Sequence, residues 1–175
     1  MSNSPNSSSS LPTVIISKCL VGHPCRYDGR AKTSTAVTNL IEEHLGPSIR
    51  CALVCPEELG GLGTPRPAAH LESGDGHDVW DGSARVTRVE DGKNVTEAFK
   101  AGAKKALLAA GDQVICAIVK ARSPSCGCGE TIIAGERRQG DGVFTALLKK
   151  KNISVTTEEV LALPPALLET DGGQP

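Results

Sequence analysis

Aromatic residues are almost missing from this chain of 175 residues: one Trp, one Tyr and two Phe make up 2%. Binding modules that stack nucleic-acid bases on aromatic faces need more than that, so such a role is disfavoured. An excess of one charge is missing too. Lys and Arg number 19 against 20 Asp and Glu, a formal net charge of −1. No basic stripe points to a nucleic-acid partner. The one dense cationic run, Lys149-Lys150-Lys151, reads as the solvated end of a helix. Apolar runs are short, and none approaches the roughly 20 residues that a membrane helix needs. The first ten residues are polar and Ser-rich, without the apolar stretch of an export signal. The chain is therefore expected in the cytoplasm, with no membrane partner and no stably bound nucleic acid. Nucleotide-cofactor signatures are lacking as well: there is no Walker loop and no Gly-x-Gly-x-x-Gly opening a helix after the first strand. The Gly60-Gly61-Leu62-Gly63 run leads into Pro65 and Pro67 and is a weak phosphate candidate.

What is present is an alternation of short apolar runs and helical spacings. The composition is 39% apolar, enough for one domain with a core of Val, Ile, Leu and Ala. Strands are expected over 13–17, 49–54, 114–119 and 153–156, and an arm of a hairpin over 84–89. Helices are expected over Thr35–Leu45, with Ala36, Val37, Leu40, Ile41 and Leu45 on one face, and over Val95–Ala110 with Gly111 after its end. Asp141–Lys151 reads as a third helix with Asp141 as its N-cap. Thr157 is expected to cap a short final helix. Residues 58–67 read as a long loop. The alternation implies a parallel sheet covered on both faces. The fold class expected is α/β, a Rossmann-like three-layer domain over 13–168 with a mostly parallel sheet and loose tails at 1–12 and 169–175.

Seven cysteines in a reducing compartment call for a reason other than disulfides. Three strands run directly into cysteine-bearing loops, at Cys19, Cys55 and Cys126, and open α/β sheets bind ligands outside the carboxyl ends of their strands. Those three thiols are expected at one site. No Cys-x-x-Cys pair completes a zinc finger. Three converging thiolates without a fourth suit an open metal position, as in a cubane cluster with one free iron; unconnected thiols are the alternative. Cys25 and Cys128 are reserve ligands, while Cys51 and Cys116 lie inside strands and read as core. Glu57, two residues past Cys55, is a candidate general base. Ser123 and Ser125 flank Pro124 and can hold or donate a proton. Arg26, Asp28, Lys120 and Arg66 can bind a polar substrate or pair with loop charges. Of the histidines, His44, His70 and His77 read as peripheral; only His23 and His70 lie in loops that could meet a cysteine.

Three ordered motifs carry a resemblance. They are Ile16-Ser17-Lys18-Cys19-Leu20-Val21-Gly22 with Cys25-Arg26-Tyr27-Asp28-Gly29; Cys55-Pro56-Glu57 with Gly60-Gly61-Leu62 and Thr64-Pro65-Arg66-Pro67; and Lys120 to Gly127. With them the chain closely resembles the thiouracil desulfidase family over roughly Val14 to Val160. The resemblance implies a single α/β domain with a [4Fe-4S] cluster held by Cys19, Cys55 and Cys126, its fourth iron left free by the protein. It implies a small thiocarbonyl substrate of the thiouracil class, converted to the uracil-type product and sulfide without net redox change. Glu57 and Ser123 correspond to the catalytic pair, with Ser125 the second choice for the serine. Gly63 and His70 depart from the family pattern, which commonly has Pro and an acidic residue there; this bears on substrate preference. A cluster-binding module that does not turn over thiobases, and a zinc- or thiol-dependent hydrolase, are the alternative readings.

Overall fold

The computed structural model describes residues 11–168. The tails expected over 1–12 and 169–175 fall outside them, apart from Leu11 and Pro12. The first strand, β1 (Thr13–Ser17), is buried at all five positions. It runs through a 3-10 turn, Lys18–Val21, which ends at Gly22. Helix α1 (Thr35–His44) begins at Ser34, whose Oγ accepts from the Val37 N–H. It returns the chain to β2 (Arg50–Val54), which lies parallel to β1. After an excursion described below, α4 (Thr96–Ala110) leads to β5 (Val114–Val119), and α5 (Val143–Lys150) leads to β8 (Ser154–Thr157). The sheet order is β2-β1-β5-β8 and every pairing is parallel. From β1 the chain goes to β2 on one side and later to β5 on the other, so the switch point lies between β1 and β5.

The sheet divides two cores by strand alternation. Ile15, Ala52, Val54, Ala117 and Val119 pack with Phe99, Ala103, Phe144 and Leu148 of α4 and α5. Val14, Ile16, Cys116 and Ile118 point the other way, against Val37 and Leu40 of α1 and against Leu167 of the last helix, α6 (Pro165–Leu168). Three layers result, as the alternation of strands and helices predicts. On α1, Val37 and Leu40 are buried and Ile41 half-buried, while Ala36 is exposed; Leu45, expected on the same face, is buried just past the helix end.

The excursion between β2 and α4 differs from the sequence reading. The loop expected over 58–67 starts inside a single helical turn, α2 (Pro56–Leu59), which Pro56 begins by its fixed φ. The stretch 69–92 holds β3 (Ala69–Leu71), α3 (Gly76–Asp81) and β4 (Val86–Arg88). The expected hairpin arm is β4, antiparallel to β3. After the third cysteine loop, β6 (Glu130–Ile133) and β7 (Glu136–Gln139) form another hairpin, and β3 pairs with β6. These four strands make a second sheet, ordered β4-β3-β6-β7.

Two capping assignments are corrected. Helix α5 starts at Val143, after Gly142, and Asp141 does not cap it. Asp141 instead ties three segments together. Its Oδ1 accepts from the Gly129 N–H at 2.9 Å and from Lys149 Nζ at 2.8 Å, and Oδ2 meets His77 Nε2 at 3.0 Å. Thr157 ends β8 rather than capping a helix, because the chain turns before α6.

Burial alone would raise the Asp141 carboxyl; Lys149, the Gly129 amide and His77 outweigh it and hold the carboxyl below its ordinary value. A carboxyl depressed in the folded state stabilises the fold above its unfolded pKa of about 3.9, and that stability is lost as pH falls through the lower folded value. Asp141→Asn is therefore expected to cost about 1–3 kcal/mol at pH 7. In urea denaturation, the gap between variant and wild type should shrink as the pH is taken below about 4.

Candidate functional site

Each cysteine loop is held by backbone contacts that follow from local sequence. After β5, the first amides of α5 have no partner within their own helix. Val143 N–H donates to Pro124 O at 3.0 Å and Phe144 N–H to Ser125 O at 2.8 Å, while Thr145 Oγ1 donates to Cys126 O at 2.7 Å. The loop lies against the helix start because residue 142 is Gly: a Cβ there would sit 2.4 Å from the Ser125 backbone. Ser123 closes the loop from inside. Its Oγ accepts from the Ser125 and Cys126 N–H groups at 3.2 and 3.1 Å, and its carbonyl accepts from Gly127 N–H.

The Cys55 loop rests on α4 in the same way. A Cβ on Gly102 would lie 1.8 Å from Pro56 O, so α2 packs backbone to backbone on α4. Gly102→Ala is expected to lower stability by about 3 kcal/mol through overpacking and to shift the Pro56-Glu57 turn, readable as a lower denaturation midpoint. After β1, the Cys19 carbonyl accepts from Lys32 N–H at 2.9 Å, and Ser17 Oγ accepts from the Lys120 N–H at 3.1 Å, joining the ends of β1 and β5 across the switch point.

At these strand ends lies a cavity of about 690 Å³, within the usual range for small-molecule sites. Cys19, Cys55 and Cys126 all line it, and so do Cys25, Glu57 and Ser123. Glu57 is its single acidic lining residue. Arg66 Nε donates to Glu57 Oε2 at 2.7 Å, with both side chains largely buried. Arg66 Nη1 and Nη2 also donate to the Cys25 carbonyl, each at 3.1 Å. Burial works against the Arg66 charge, but Glu57 outweighs it and leaves the guanidinium above its ordinary pKa. One arginine thus fixes the carboxylate of the second loop against the backbone of the first.

The thiols crowd one another. Cys25 is pushed up to about 11, first by its hydrogen bond to Cys19. Cys55 is raised well above its ordinary value by its contact with Cys25 and by burial. Cys126 is pushed up to about 12 by burial, with Ser17 acting in the opposite direction. Ligating atoms of Cys25, Cys55 and Glu58 lie within 4.8 Å of one another. The Glu58 carboxylate is engaged, by an ion pair with Lys18 and by Thr64 Oγ1 at 2.7 Å.

Of the other candidates, Arg26, Arg66 and Lys120 line the cavity, whereas Asp28, His23 and Ser125 are not in its wall. Lys120 and Arg122 also hold Glu158 and Glu159 in ion pairs beyond the cavity. Cys128 is removed from the site: its Sγ donates to Val155 O at 3.7 Å. Cys51 and Cys116 sit in β2 and β5, as expected of core thiols. His70, read as peripheral, is in the cavity wall. Ser17 was missed too; its signal was a polar residue ending an otherwise apolar strand.

Residues 14–160 match the family model described as 2-thiouracil desulfurase. The chain belongs to that family. It is 36% identical over 152 residues to the uncharacterized protein YbbK of Bacillus subtilis (strain 168), covering 85% of this chain and 97% of that protein. Among solved structures it is similar to the [4Fe-4S]-dependent thiouracil desulfidase TudS, at 36% identity and a TM-score of 0.71, over 90% of this chain and 95% of that one. Family and fold agree with the reading of the three motifs: a 2-thiouracil desulfurase family member on a Rossmann-like α/β fold. Among the described residues, no helix is long and apolar enough to cross a membrane.

Proposed function

We propose that this chain is a [4Fe-4S]-dependent desulfidase that converts 2-thiouracil or a related thiocarbonyl base, with water, into the uracil-type product and hydrogen sulfide. The observation that carries this reading is the shared cavity: three thiols from three strand ends, with the buried Glu57–Arg66 pair and Ser123 in the same wall. We assign the cluster to Cys19, Cys55 and Cys126. The donors suit such a group, since thiolates select soft metals and iron–sulfur centres. The three thiols come from three different strand ends and line one cavity. When bound, the cluster supplies a Lewis-acidic iron, not ligated by protein, for the thiocarbonyl sulfur.

The remaining chemistry belongs to side chains. Glu57 takes a proton from the water that attacks the thiocarbonyl carbon. Arg66 holds the carboxylate in place. Ser123 Oγ spends its lone pairs on two backbone amides, so its O–H points elsewhere and is free to donate to the ring nitrogen. Ser125 is buried and absent from the cavity wall, which favours Ser123 of the two. Water adds as the C–S bond breaks and a C–O bond forms, so sulfur leaves as sulfide and no electrons are exchanged. Protein purified without oxygen is expected to be brown, to carry about four iron and four inorganic sulfide per chain, and to release sulfide from 2-thiouracil. Zinc in place of iron would support a hydrolase instead.

A further inference from the structure

His70 sits at the centre of β3, paired with Thr87 of β4. Its neighbour Leu71 is fully buried in the core, so strand alternation turns His70 to the opposite face, where it lines the cavity. The ring has two unlike nitrogens. Nδ1 is sealed from solvent and has no hydrogen-bond partner. Nε2, on the other side of the ring, is not sealed in this way, and the side chain as a whole lines the cavity. An Nδ1–H would be a buried donor without an acceptor, and such orphaned N–H groups are rare. The tautomer with its proton on Nε2 avoids that cost, and it presents an N–H to the cavity.

We infer that His70 is a specificity-determining residue whose Nε2–H donates to the exocyclic carbonyl oxygen of the substrate ring, the oxygen that sulfur does not replace. This assignment rests on the desulfidase reading. The complementary group is Glu57, which is the single carboxylate of the wall and can accept from the ring or from water. A polar group placed to hydrogen-bond a substrate atom discriminates strongly against an analogue lacking that atom.

The test compares iron-loaded wild type with His70→Ala and His70→Gln on two probes: 2-thiouracil, and pyrimidine-2-thione, which has no ring carbonyl. Wild type should favour 2-thiouracil in kcat/KM. His70→Ala should lower kcat/KM for 2-thiouracil about 10- to 100-fold, mainly through KM, and leave pyrimidine-2-thione nearly unchanged. His70→Gln, which keeps a donor, should recover part of the loss, and the inhibition constant of uracil should rise in step with KM in His70→Ala. Iron content should be the same in all three proteins. Equal losses on both probes, no discrimination in wild type, or loss of iron from both variants would overturn the assignment of His70. An iron-loaded wild type that releases no sulfide from either probe would instead remove the desulfidase reading beneath it.

Discussion

Cys126→Ala protein is expected to purify colourless, with iron near background and sulfide release from 2-thiouracil below detection. Cys126 is nearly inaccessible to solvent, and the carbonyls around it are held by the start of α5. Cys128, two residues on, is turned toward Val155 on the far side of the loop. The fold itself should persist, because the side chain lost is small; the metal-free variant should melt within a few degrees of metal-free wild type, corresponding to about 1 kcal/mol. Cys128→Ala should keep its iron. The contrast between two cysteines in one loop, read by iron analysis, separates ligation from general disturbance of the site.

Glu57→Gln should keep the cluster and lose activity. Removing a positioned general base typically lowers a rate by about 10²- to 10⁴-fold, and the fall should appear in kcat. Stability should fall as well, because the largely buried Arg66 loses the anion it faces. Loss of one partner of a buried pair costs up to about 3–5 kcal/mol, and the amide oxygen that remains to accept from Arg66 brings the expectation to about 2 kcal/mol. Glu58→Gln is the matched comparison. Glu58 is the next residue, yet it pairs with Lys18 and Thr64, so its loss should lower kcat far less. Steady-state kinetics of the two variants at equal iron content checks this.

Much of the site was legible because strand ends are legible. Val14-Ile15-Ile16, the run into Cys55 and Val114–Val119 are short apolar runs that stop at cysteines, and a parallel sheet brings such ends together. Of the second sheet only β4 was legible, as the hairpin arm expected over 84–89. Its partner β3 has three residues, too short for a period of two to stand out, and β7 is exposed throughout. Its strand β3 carries His70, which is why that residue read as peripheral. Asp141 was misread for a related reason. A carboxylate just before a helix is usually a cap, but here Gly142 separates it from α5, and Gly129, His77 and Lys149 take its oxygens. Gly102 gives no sequence signal beyond being a glycine in a helix; its purpose is the backbone of Pro56.

The central claim is that this cavity replaces sulfur by oxygen without exchanging electrons. The most direct measurement supplies iron-loaded protein with 2-thiouracil under exclusion of oxygen, with neither reductant nor oxidant, and quantifies uracil and sulfide over many turnovers. One uracil and one sulfide are expected for each 2-thiouracil consumed. Consumption that stops after one equivalent, or product formation that depends on an added electron donor, would contradict it.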